Sequence, residues 1–253
     1  MLTYLIILII LLYSLGSSVP LLAGNVLADR LRQQFGPFSH LDVQVVTSPP
    51  IWSLSGQVDS LRIHAASFSV DGVPISTASL ETAPFHVPVF SLLGHPQWPS
   101  SVAGTASATL SEADLNKLLH SKQVLAKLKN IPLQFSLFPG VSTTRMVTIH
   151  PGQLYVVANQ LLVDGMADMG GGAIFPFSLQ SSPHLAAPDR LDFDDIQANF
   201  AGAMIPPSYL GSATPSLDFS KYQRPGKNFQ ITSFVLTPGL IQVVASFSIT
   251  DFH

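Results

Sequence analysis

The sequence contains no cysteine, which excludes a disulfide scaffold, a thiolate metal site and a thiol nucleophile. It is also short of charge. Only 11% of its 253 residues are ionisable Asp, Glu, Lys or Arg, against about 25% in an average soluble domain. The net charge is −3 and no Lys/Arg cluster occurs, so there is no electrostatic footprint for nucleic acid. Catalytic patterns are missing as well. No serine stands in a G-x-S-x-G elbow, the strand-to-helix turn of many hydrolases. The eight histidines never recur as H-x-H or H-x-x-x-H, and without ligand spacing no metal site is expected. "MGGGA" at Met169–Ala173 lacks the lysine and following helix of a phosphate loop and reads as a flexible turn. No cofactor is implied.

What the chain has in quantity is apolar residues, 47% of the total. "LTYLIILIILLY" near the N-terminus carries no charge, and apolar character continues to Gly24. Residues 1–24 therefore read as a signal peptide or a retained membrane anchor. Small residues at Ser14/Gly16 and Gly16/Ser18 suit cleavage, while Leu2–Ala23 just reaches the roughly 20 residues of a membrane span. Either way the rest of the chain, 25–253, is expected as a single exported domain. It would be secreted to the periplasm or cell envelope, or tethered to the cytoplasmic membrane.

"NVLADRLRQQF" from Asn25 to Phe35 has helical spacing and stops at Gly36-Pro37. Alternation predicts strands at Leu41–Val46, Leu54–Val70, Ile75–Leu80 and Val102–Leu110, with "VDGVP" as a turn. "FHVPVFSLLGHPQWPSS" is a proline-broken apolar loop. Its Trp98 suits either an interfacial anchor or a residue packed on its own domain. Ser111 and Asp114 form a capping-box-like start. From there a helix is predicted to about Asn130, with Leu115, Leu118, Leu119, Leu125 and Leu128 along one face. "LQFSLF", "TTRMVTIH" and "QLYVVANQLLVDG" follow as antiparallel strands separated by Pro-Gly turns, and "GGAIFPFSL" as another. Ser181–Asn228 breaks the rhythm as a Pro/Ser/Asp-rich excursion, with a short helix expected over Asp192–Ala203. "FQITSFVLTPGLIQVVASFSIT" closes the chain as a hairpin around Pro238-Gly239, with Ile241, Val243, Ala245, Phe247 and Ile249 on one face.

In "LYVVANQLLV" read as one strand, Leu154, Val156 and Leu162 point one way and Tyr155, Val157 and Leu161 the other. A half-buried strand needs only one apolar face. Two explanations stay open: a sheet covered on both sides by protein, or a curved sheet closing over an apolar ligand with the amphipathic helix as a wall. The acidic run "DRLDFDD", with Asp189, Asp192, Asp194 and Asp195, suits a solvated loop or helix start better than a cation site, since the EF-hand pattern is absent.

Several of these segments together resemble the LmeA-like phospholipid-binding proteins, exported envelope proteins of actinobacteria and cyanobacteria. They are the apolar N-terminus, "NVLADRLRQQF", the strands around "GQVDSLRIHA", the unit "ATLSEADLNKLL" and the hairpin "FQITSFVLTPGLIQV". The resemblance implies an α+β fold in which an elongated, curved antiparallel sheet wraps around a long amphipathic helix, as in tubular lipid-binding proteins. It also implies a non-enzymatic protein that binds phospholipid or another acyl lipid in an apolar cavity, working at a membrane surface in lipid transfer or envelope lipid maintenance. Leu115, Leu118, Leu119, Phe135, Val156, Phe234, Val243 and Phe247 are the candidate cavity residues. Two other readings remain: an envelope glycolipid-modifying enzyme using Asp192, Asp194 or Asp195, and a scaffold protein with a filled core.

Overall fold

A computed structural model describes residues 24–46, 57–70, 72–86, 101–138, 141–205, 216–220 and 226–250. The N-terminal segment before Gly24 and Trp98 lie outside the described residues. The chain opens with helix α1 (Gly24–Phe35) and then strands β1 (His40–Val46), β2 (Gln57–Val58), β3 (Ser60–Val70), β4 (Val73–Thr82), β5 (Phe85–His86) and β6 (Val102–Ser111). Helices α2 (Glu112–Leu119) and α3 (Lys122–Lys127) follow. Next come β7 (Ile131–Phe138), β8 (Val141–Val157), β9 (Gln160–Asp168), β10 (Ile174–Ala187), β11 (Arg190–Phe200), β12 (Ala203–Ile205) and β13 (Ser216–Asp218). The hairpin β14 (Lys227–Thr237) and β15 (Leu240–Ile249) ends the described chain.

Two antiparallel sheets result. The first has six strands in the order β1-β3-β4-β6-β15-β14. The second is a meander, β12-β11-β10-β9-β8-β7, with β13 also paired to β11. The second sheet is thus a continuous excursion between β6 and the closing hairpin. Alternation explains the first sheet: Ile241, Val243, Ala245, Phe247 and Ile249 of β15 are all buried, as are Ala106, Ala108 and Leu110 opposite them on β6. The hairpin turns at Gly239, whose φ of +79° suits glycine. Leu31 and Phe35 of α1, Leu115 of α2, and Val156 and Leu191 of the second sheet join this face in one core.

The expected sheet wrapped around a long amphipathic helix does not form. The architecture is mostly antiparallel β-sheet, and the three helices among the described residues have only 12, 8 and 6 residues. The helix predicted from Ser111 to Asn130 starts with the foreseen capping box, Ser111 and Asp114 bonding reciprocally, but breaks at His120–Ser121. There the amides of His120 and Ser121 donate to the carbonyls of Asn116 and Leu118, closing the first helix. The Ser121 hydroxyl then accepts from the Val124 amide at 3.3 Å and starts a second. A serine able to cap from mid-sequence competes with helix continuation, and a six-residue remnant is too short to fill a sheet's curve.

Three further expectations change. Asp192–Ala203 is not helical but lies mainly in β11. A bulge opposite Ser181, with Asp195 at φ +50°, adds one residue and puts Phe193 and Ile196 on one face at a spacing of three, imitating a helix. Pro151-Gly152 is no turn; β8 runs through it with an irregularity before Leu154. The chain instead reverses at Ala158–Asn159, with Asn159 at φ +61°. That two-residue turn swaps the parity, so Leu161 pairs with Val156 and Leu162 with Tyr155. The excursion from Ser181 is, as far as 205, regular sheet.

Candidate functional site

The parity correction gathers apolar residues on one face of the second sheet. Directly paired positions share a face, and the row Leu154–Val163–Leu179–Ala198–Ile205 crosses five strands without a polar side chain. Pro151–Gly165–Phe177–Phe200–Ala203 runs beside it, then Ile149–Ala167–Phe175. Phe177 fills the space a side chain at Gly165 would take: a Cβ there would lie 2.7 Å from the ring. Phe175 and Phe200 lie with ring centroids 5.5 Å apart. The opposite face holds Asp164, Asp168, Ser178, Gln180 and Asn199, interrupted by methionines.

At its lower end this apolar face merges with the core, where Leu154, Leu161, Leu185 and Phe193 pack against the buried cluster. Toward the other end Phe175 and Leu179 are 36% and 39% exposed, while Ala167 between Ile149 and Phe175 stays buried. The face thus leads from the interior to solvent. A second apolar recess lies under α1, lined by Leu31, Phe38, Leu41, Ile63, Ala65, Ala78 and Leu80 beside Ser79. It measures ≈ 310 Å³ with its open mouth, but its enclosed part holds no more than about one water.

Helix α2 fastens the two sheets together. β7 pairs only with the first part of β8, up to Val147, so the later edge of β8 needs other partners. Asn116 supplies them: its amide donates to the Leu154 carbonyl and its side-chain oxygen accepts from the Leu154 amide, both at 2.8 Å. Glu112 accepts from the Val156 amide at 2.9 Å, and the Gly239 amide of the closing hairpin donates to the Val156 carbonyl at 2.9 Å. On the first-sheet side, Asp114 accepts from the hydroxyls of Ser76 and Ser111. Burial pushes the Asp114 carboxyl up, but those hydroxyls, the Ser111 amide and Lys117 together outweigh it and hold it below the usual carboxylate range.

Leu115, Val156, Val243 and Phe247 belong to the buried core cluster, with Leu118 and Phe234 packed against it. Leu119 is half-buried. Phe135 lies on β7 opposite Thr143, and only its backbone is described. None of the eight lines the recess under α1. Val156 alone is a described side chain on the apolar face of the second sheet. The Phe247 ring covers Gly104, where a Cβ would stand 2.9 Å from it. Leu154, Val163, Phe177 and Leu179 were not among the candidates; the alternation in "AIFPFSL" was their signal, and the misread turn at Ala158–Asn159 hid how it lines up with β8 and β9.

The acidic run spreads along β11. Asp194 stands 3.2 Å from His184, and Asp192 Oδ1 lies 3.0 Å from Arg190 Nε, in ion-pair range but not aligned as a hydrogen bond. Among the described residues no group of three His, Asp or Glu is placed to hold a metal, and no helix is long and apolar enough to cross a membrane.

A family model described as LmeA-like phospholipid-binding matches residues 18–246. That description names a ligand and not a reaction. No curated protein and no solved structure matches the chain.

Proposed function

Because the chain belongs to the LmeA-like phospholipid-binding family, we propose that the apolar face of its second sheet is where acyl chains lie. We place the domain in the cell envelope, exported by the apolar segment 1–24, where it carries or stores phospholipid without acting on it chemically. The supporting feature is the five-strand row from Leu154 to Ile205. Four inter-strand gaps of ~4.8 Å give it a width of ~19 Å. One bilayer leaflet, the span of an acyl chain, is about 15 Å deep. Covering about 16 methylenes there is favourable by roughly 0.8 kcal/mol each, on the order of 10 kcal/mol before ordering costs. That is enough for lipid to survive purification.

The test is mass spectrometry of an organic extract from protein purified without detergent, which should contain close to one phospholipid per chain. An extract free of lipid, together with no uptake of a fluorescent phospholipid, would leave only a scaffold role. Turnover of phospholipid or glycolipid that disappears when Asp192, Asp194 and Asp195 become alanine would make the protein an enzyme instead.

A further inference from the structure

The two ends of the second sheet differ. At one end the turns at Ala158–Asn159 and Pro188–Asp189 are tied to the first sheet, where the amides of Gly239 and Ile231 donate to the carbonyls of Val156 and Pro188. At the other end stand the β9–β10 turn, 169–173, and the β11–β12 turn, Ala201–Gly202, beside the stretch Val141–Val147 of β8 that continues past β9 paired with β7. Meander topology puts both on the same side, away from the anchored end. This end exposes large apolar side chains on both faces, with Asp168 and Asn199 standing among those of the second. One carries Phe175, Phe177, Phe200 and Ile205. The other exposes Met146, Met166, Ile174 and Met204, at 60%, 42%, 53% and 70%.

The stretches 169–188 and 196–217 contain no Asp, Glu, Lys or Arg. The nearest carboxylate, Asp168, is turned to the Gly170 amide at 2.8 Å. We propose that this free end is a membrane-docking tip that enters the headgroup region of a phospholipid bilayer. A protein partner covers one face of a sheet, whereas a wedge that exposes apolar side chains on both faces is covered fully only by a medium that surrounds it. Exposed contiguous apolar surface of this kind marks an interaction site. The strands β9 to β12 bring no cation to the tip, and Lys129, beside Thr148 and Ile149 on the far side of β8, is a single neighbouring charge among the described side chains, so docking is driven by apolar burial and persists in high salt. The proposal builds on the lipid reading above: it sets the open end of the Leu154–Ile205 face against the reservoir of its ligand.

The absence of cysteine makes a local test clean. Ala201→Cys at the tip and Ala158→Cys at the anchored end, each in the full chain, are labelled with an environment-sensitive fluorophore and mixed with phosphatidylcholine vesicles carrying a quencher-bearing lipid. Both variants keep residues 1–24, so any binding through that segment is common to both. The label at 201 should shift to the blue and be quenched, in 0.5 M salt as well as 0.05 M and with or without phosphatidylglycerol, while the label at 158 stays unchanged. Ile174→Asp with Met204→Asp should lower the inserted fraction at 201 on the order of tenfold. Equal quenching at both positions, quenching at neither, or quenching only with anionic lipid overturns the proposal. So does shielding of the 201 label without vesicles, which would mean a second copy covers the tip. Lipid content of the same preparations separates the two ideas: bound phospholipid without quenching refutes the tip alone, and quenching without bound phospholipid refutes the acyl-binding face.

Discussion

Leu179→Asp is the most informative single change. Leu179 lies at the middle of the five-strand row, between Val163 and Ala198, yet is already 39% exposed. A fully buried leucine contributes roughly 1.5–3 kcal/mol by burial, so losing this partly covered one costs about 1–2 kcal/mol, and a domain of ordinary stability stays folded. A carboxylate facing acyl chains is far more damaging to binding: about 3 kcal/mol, or on the order of a 100-fold loss of affinity. Fold and function therefore separate. A charge at Phe247 or Val243 gives no such separation, because those side chains are only 6% and 2% exposed in the core and the fold would fail first. The assay is phospholipid per chain by mass spectrometry, alongside the urea midpoint from circular dichroism. Gln242→Asp, on the exposed side of β15, is the control. The variant should be folded and nearly lipid-free, and the control should retain lipid. A folded Leu179→Asp protein with wild-type lipid content would refute the apolar face as the site.

Asn116→Ala leaves the amide and carbonyl of Leu154 without their partner, a loss of about 1–3 kcal/mol, and amide exchange at Leu154 should quicken more than the drop in global stability accounts for. Gly165→Ala sets a methyl against the Phe177 ring and 2.5 Å from the His150 carbonyl; about 1–3 kcal/mol of destabilisation is expected, read as a lowered thermal midpoint. Asp114 titrates below its usual range in the folded protein, so its stabilisation is complete above the carboxyl's unfolded value and fades as pH falls through the folded one. Asp114→Asn should therefore be less stable than wild type at neutral pH, with the gap closing in acid; a gap independent of pH would show that the charge plays no part.

The sequence was sufficient wherever a few adjacent residues decide the structure. The capping box of Ser111 and Asp114, the turn at Pro238-Gly239, the helix ending at Gly36-Pro37 and the one-faced alternation of β15 are all local, because a side-chain cap, a left-handed glycine or a period of two acts within one turn or strand. The low charge and apolar strands pointed to lipid, and the resemblance carried by short segments led to the right family. Strand pairing decided the rest. A one-residue bulge at Asp195 imitates a helical spacing, and whether Asn159 is mid-strand or at a turn reverses the face of Leu161. Neither can be read without knowing which residue lies opposite. The role of α2 as the fastening between two sheets depends on the edge of β8 left open beyond Val147, a need for hydrogen bonds created by residues far away in the chain. The same pairing decided which apolar residues became core, such as Val243 and Phe247, and which were left half-covered on an open face, such as Leu179. Burial is a property of what lies opposite, and only the tertiary structure supplies that.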